Sequence, residues 1–437
     1  VEPPPAPGGA ESRAAHRLVL LLAGLSVVPF VANLGRFRRL YWFGDDWMLL
    51  DEIARLGGLR WLTLFFFENF VPVFKALWLG TVLAFHGYLA MLALLWLTHA
   101  AGMYLLGRLL LGAGLPVGAA AVAMVTAGLA WSNIETLGWS VQWTSILAVL
   151  FFLAALLLAV RMDRRPAGER PGWGTLAVYL TCLAASGLSH GRGVTSGLGL
   201  AVFWLLPRQE AGARRGARVG LALLSALPSA AIAAAIFLFR PGADTWGASL
   251  PPGAAQKMAA FAGYYWLLNP LFQLVWPGPI SREAIVLLGA LKVAILALGL
   301  WLSRGRARSC LASLVVVDAV TAVLLGLGRH WTGADFAVSW RYQYASLIAF
   351  APALGAAASG VARLALPRWV AVALLAGWAC WIGWRWTPET ESWSHWRGGD
   401  VRTILQSPGD PSRYMPHTPG GITVERARAL VERFGLR

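Results

Sequence analysis

The chain has 437 residues, of which 57% are hydrophobic and only 13% charged, a balance that excludes an ordinary soluble domain. The formal charge of +16 does not point to nucleic acid. The arginines are confined to short segments between apolar runs, the pattern that orients membrane proteins by retaining Lys and Arg on the cytoplasmic side. Apolar runs of about 18 residues or more recur throughout, and short alternating segments do not, so the expected class is an all-α polytopic membrane protein and not a β-barrel.

Residues 1–17, rich in Pro, Gly and Ala, are expected to form a disordered cytoplasmic N-terminus. The apolar run at 18–34 is long and lacks a small-residue cleavage site, so it reads as a retained helix rather than a signal peptide. The first extracytoplasmic segment, 35–87, is not a plain loop. Its stretches "DWMLLDEIARLGGL" and "NFVPVFKALWLGTVLAF" have the patterning of interfacial helices. Further spans are expected near 88–111, 115–131, 141–160, 172–188, 194–206, 219–239, 284–302, 311–327, 344–362 and 369–384. That makes about eleven in a transmembrane catalytic domain at 18–385. In this threading "RMDRRPAGER" (161–170), "RQEAGARRGAR" (208–218) and "SRGRARS" (303–309) all fall on the inner side. The remainder, 386–437, becomes a short polar extracytoplasmic tail, with turn signals at "SPGDPS" and "HTPGG" and a terminal amphipathic helix in "TVERARALVERFGL".

The unusual residues gather on the outer side. In "YWFGDDWMLLDEI" (41–53), Asp45 and Asp46 are adjacent carboxylates among aromatic and aliphatic residues. Their mutual repulsion and the nearby bilayer raise the cost of keeping both ionised. Such a pair faces water, caps the helix that follows, acts as a general base, or holds a divalent metal. Glu68 belongs to the same segment. Arg341 in "SWRYQY" and Arg192 in "SHGRGVTSG" are either phosphate-gripping forks or interfacial side chains snorkelling to headgroups. Many of the 23 Trp residues also lie outside, among them Trp42, Trp47, Trp61, Trp139 and Trp246, and read as an interfacial belt or as stacking platforms for sugar. Lys292 and Asp318 sit mid-span in neighbouring antiparallel helices, so a salt bridge is expected, with a proton or ion relay as the alternative. The histidines show no ligand spacing and the three cysteines no paired spacing.

An acidic pair after the first span, with interfacial helices behind it and the remaining chemistry outside, resembles the GT-C superfamily of membrane glycosyltransferases, and most closely its protein O-mannosyltransferase-like branch. His99 in "LLWLTHAAGMYLLGRLL", Glu135 and Trp139 in the E-x-x-x-W spacing of "ETLGW", and "RYQY" at 341–344 carry the likeness. The tetratricopeptide tail of some members is missing, and the basic and proline pattern of the first interfacial helix is only partly kept, in "NFVPVFKAL". The resemblance implies transfer of a sugar, with inversion, from a polyprenyl-phosphate donor to a hydroxyl of a glycan, lipid or protein acceptor. In that scheme Asp45 and Asp46 are catalytic, and Arg341 and Arg192 hold the donor phosphate. Trp47, Glu135, Trp139, His99, Tyr342 and Tyr344 contact substrate, and a divalent cation at Asp45 and Asp46 stays open. The scarcity of Lys beside abundant Arg and Ala points to a GC-rich bacterial genome and so to a plasma membrane. The competing reading is a secondary transporter or lipid flippase, which would draw on Lys292 and Asp318.

Overall fold

The computed structural model describes residues 9–437 apart from 68, 167, 168, 170, 207–214, 240–251, 277, 363–366, 419 and 420. Glu68, Trp246 and much of the 208–218 arginine cluster therefore lie outside the described residues. Among those described, the chain is helical throughout, and its only β-pairings are the isolated bridges Phe66–Asn69 and Tyr414–Thr423.

A helix occupies each of the eleven expected positions, but not all are of spanning length. Seven are long and apolar enough to cross a membrane: Arg13–Ala32, Tyr88–Ala113, Ser140–Asp163, Arg215–Phe239, Arg282–Leu302, Gly305–Thr332 and Trp340–Ala362. The bent pair Val117–Leu129 and Trp131–Gly138 makes an eighth if it is one span. Trp173–Gly187, Ser196–Leu205 and Arg368–Gly383 have 15, 10 and 16 residues, short of the roughly 20 that ~30 Å of hydrocarbon requires. The chain is thus a polytopic helical protein with seven or eight spans by length. The N-terminal expectation is corrected as well. The first helix begins at Gly9, so residues 9–17 are helical and continue directly into the first apolar run, and only 1–8 lie outside the described residues.

The arginine-rich helix ends meet at one end of the bundle. Arg108 bonds His16 and Tyr104 at 3.1 and 2.9 Å, and Arg306 pairs with Asp163 at 3.0 Å. At the opposite end, residues 41–86 fold into the helices Asp45–Leu56, Gly58–Leu62 and Pro72–Phe85. Here the indoles form a core instead of a belt: Trp42, Trp47, Trp61 and Trp78 are completely buried, with Trp78 packed against both Trp42 and Trp61. Lys75 turns inward as well. It donates to the carbonyls of Trp61 and Leu64, both at 2.9 Å, and lies over the Trp61 ring.

The C-terminal segment is built into this end and does not hang from it. Helix Val424–Phe434 is capped by the Thr423 hydroxyl and buries Val424, Ala427, Leu430 and Phe434, the three- and four-residue spacing of one face. These side chains share a hydrophobic core with residues 40–82. Arg426 reaches Asp51 at 2.7 Å, and Glu391 accepts from both Arg36 and Arg39. Gly398 is required for the fit, because a Cβ there would sit 1.9 Å from the Arg39 carbonyl oxygen.

Candidate functional site

Asp45 and Asp46 form the first turn of helix Asp45–Leu56, where the aligned backbone N–H groups favour negative charge. Neither is the N-cap. Gly44 holds that position at φ +57°, a left-handed conformation, with the Trp139 ring and the His417 carbonyl close beside it. This turn separates the two acids. Asp45 is half-buried and Asp46 fully buried. One Asp46 oxygen accepts the Phe43 backbone N–H at 3.0 Å and the other accepts the Ser140 hydroxyl. Ser140 is itself held by Trp78, whose indole N–H donates to it at 2.8 Å, and by a bond from its own N–H to the Tyr88 hydroxyl at 3.2 Å. Burial pushes the Asp46 carboxyl up to about 7, and neighbouring Asp45 adds to this. The bonds from Ser140 and Phe43 and the charge of Arg397 work against it.

The segment that supplies Ser140 also carries Glu135 and Trp139. Glu135 pairs with the Arg341 guanidinium at 2.8 Å and accepts the Arg341 backbone N–H at 3.1 Å. The Trp139 indole donates to the Phe43 carbonyl at 3.2 Å and places its ring 5.5 Å from Arg341. The turn before the last long span is thereby fastened to the turn that presents the acidic pair. Arg192 lies 4.9 Å from the ring of Tyr342, the residue after Arg341. Burial and the charges of Arg192 and Arg329 drive the adjacent His190 well below its ordinary value.

Sequence reasoning missed Arg397, which the tail brings in from 350 residues away. Its guanidinium is 3.7 Å from the Trp393 ring and 4.0 Å from Phe43, with Trp396 at 4.6 Å and Trp139 at 5.2 Å. Burial lowers it to about 10, where it remains charged at neutral pH; Glu135 and Asp46 hold it up and Arg341 pushes it down. Its Nε and Nη1 have no hydrogen-bond partner among the described residues. The sequence signal was the run "WSHWRGGD", aromatic residues flanking one Arg with two glycines after it.

Of the residues expected to touch substrate, Glu135, Trp139 and Tyr342 stand at this end beside the arginines, whereas three are packing residues. His99 is fully buried within the bundle, bonded to the Tyr344 hydroxyl and to the Gly128 carbonyl, each at 3.2 Å. Both of its ring nitrogens and the Tyr344 hydroxyl are thereby engaged in joining three helices. Trp47 is fully buried behind the acidic pair, against Tyr41. A divalent cation does not fit the donors present. Both Asp46 oxygens already accept hydrogen bonds, and no group of three His, Cys, Asp or Glu suited to a metal occurs among the described residues. No protein-family model matches the chain, and no curated protein sequence matches it.

Proposed function

We propose that the chain is a membrane glycosyltransferase of GT-C type. It transfers a sugar from a polyprenyl-phosphate donor to an acceptor hydroxyl on the outer face of a bacterial plasma membrane. The observation that carries this reading is the convergence at one end of the bundle of a half-buried carboxylate, Asp45, with arginines and an indole wall. Asp45 is the member of the pair that an acceptor can reach, while Asp46 is the positioning residue that ties the turn to Ser140. In the reaction Asp45 takes the proton of the acceptor hydroxyl, and the oxygen bonds to the anomeric carbon. The carbon–oxygen bond to phosphate breaks, its electron pair leaves with the lipid phosphate, and the anomeric centre inverts. Arginine at this end stabilises the charge that grows on the leaving group.

The transporter reading has less to stand on. Lys292 and Asp318 pair at 3.0 Å, both buried, and Asp318 also accepts from Tyr265 at 3.0 Å, the closed arrangement of a structural salt bridge. The test is sugar transfer from labelled polyprenyl-phosphate sugars by the purified protein, beside Asp45→Asn. A general base contributes about 10²–10⁴-fold, so turnover should fall by that much with donor binding retained. Wild-type protein that neither binds nor consumes any such donor would overturn the proposal.

A further inference from the structure

Arg341 is the obvious phosphate ligand from sequence, yet its charge is already met by Glu135 at 2.8 Å. Arg192 and Arg397 both keep Nε and Nη1 unpartnered among the described residues, and of the two it is Arg397 that lies within electrostatic range of Asp46 and Glu135. It is 7% exposed and makes no ion pair, and two of its nitrogens lack a partner among the described residues. A buried charge in that state is costly. Stacking on aromatic faces offsets part of the cost, but rings above and below cover only the faces of a planar cation. Trp393 and Phe43 lie 3.7 and 4.0 Å from the guanidinium carbon, and neither ring supplies the hydrogen-bond acceptor that Nε–H and Nη1–H lack among the described residues. A phosphate would supply the missing acceptor, because guanidinium N–H groups make strong charge-assisted hydrogen bonds to phosphate oxygens.

The surroundings support a site in place of a packing accident. The segment is held from several directions, by Glu391 on Arg36 and Arg39, by Gly398 against the Arg39 carbonyl, and by Trp393 against Gly138. Asp46, Glu135 and Arg341 are all within electrostatic range of Arg397. Over the cage, exposed His417 packs against Phe43 and Trp396. It holds φ +55°, an unusual backbone for a residue other than glycine that neighbouring structure must maintain.

We infer that Arg397, carried in by the C-terminal segment, is the residue that binds the phosphate anion of the substrate, with the cage of Phe43, Trp139, Trp393 and Trp396 holding its fork in place. The inference rests on the transferase reading only for the lipid attached to that phosphate. Binding of polyprenyl monophosphate, of uncharged polyprenol and of inorganic phosphate is measured on the full chain, wild type and Arg397→Met, with Arg433→Met as an exposed charge control and unfolding midpoints recorded for each. Polyprenyl monophosphate should bind wild type and the control alike and bind Arg397→Met roughly ten- to hundredfold more weakly, the effect of losing charge-assisted hydrogen bonds. Arg397→Lys should recover part of the loss. Competition by millimolar inorganic phosphate would identify the free anion as sufficient, and competition by the lipid alone would identify a headgroup site; both support the inference. A folded Arg397→Met that binds like wild type overturns it. If that variant does not fold, hydrogen exchange of residues 393–399 in wild type decides: protection on adding polyprenyl monophosphate supports the assignment, and unchanged exchange overturns it. Loss of phosphate binding in the variant alongside wild type that transfers no sugar would keep this inference and remove the transferase reading. Transfer by wild type with undiminished binding in the variant would do the reverse.

Discussion

Replacing Asp46 by Asn tests whether burial governs the acidic pair. Asn keeps the shape. Its carbonyl oxygen accepts from Phe43, its amide faces the Ser140 hydroxyl, and the one thing removed is the ability to ionise. The native carboxyl titrates at about 7 against 3.8 for the ordinary group. Between those values the folded protein holds a proton that the unfolded chain has released, so wild-type stability falls as pH rises through this window and levels off above about 7. The rise from 3.8 to about 7, at about 1.36 kcal/mol for each pH step, gives about 4 kcal/mol as the upper size of the loss. Asp46→Asn does not suffer it. The variant should match wild type near pH 4, gain progressively through pH 5 and 6, and be more stable by several degrees in unfolding midpoint at pH 8. The assay is thermal unfolding in detergent at fixed scan rate from pH 4 to 9, since membrane proteins of this size unfold irreversibly and only matched scans compare. A gap that does not widen between pH 5 and 8, or a variant weaker than wild type at every pH, would refute the reasoning. The bonds from Ser140 and Phe43 and the charge of Arg397 would then be holding an ionised carboxylate against the cost of burial.

Glu135→Gln leaves Arg341 without its counter-charge and should cost about 1–3 kcal/mol, read as a lowered unfolding midpoint, with an unaltered midpoint counting against the pair. Lys292→Met strands Asp318 in the bundle and should cost about 3–5 kcal/mol, most of it recovered on adding Asp318→Leu, because two apolar residues replace a buried pair well. If the double variant is no better than the single one, the pair has a further role. Gly398→Ala forces a methyl onto the Arg39 carbonyl and should loosen the C-terminal segment, so trypsin should cut it faster at Arg402 and Arg413 than in wild type; equal rates would show that the segment docks without that contact.

The helix positions were legible because a long apolar run in lipid has few alternatives to a helix, and each expected span has one. The Lys292–Asp318 pair was legible for a related reason, since two opposite charges in neighbouring apolar helices are stable only together. The acidic pair announced itself through its cost. What the sequence could not convey was the number of helices that cross, because Trp173–Gly187, Ser196–Leu205 and Arg368–Gly383 are apolar but short. It also did not convey that His99, Tyr344 and Trp47 are buried against other parts of the fold, since a polar or aromatic residue of a given spacing looks the same whether it faces a substrate or another helix.

Composition and periodicity by themselves determined that this chain is a helical membrane protein with acidic and aromatic residues clustered after its first apolar run, because both are local properties of the order of residues. The tertiary structure alone decided that Asp45 and Asp46 differ, one reachable and one sealed beneath Ser140, and that Arg341 is neutralised by Glu135. It also brought Arg397, some 350 residues along the chain from Asp46, into electrostatic range of that acid with two nitrogens unpartnered among the described residues, as they also are in Arg192. Charge state and pairing depend on which groups come near one another after folding, and no spacing along the chain encodes the electrostatic influence that residues 46 and 397 exert on each other.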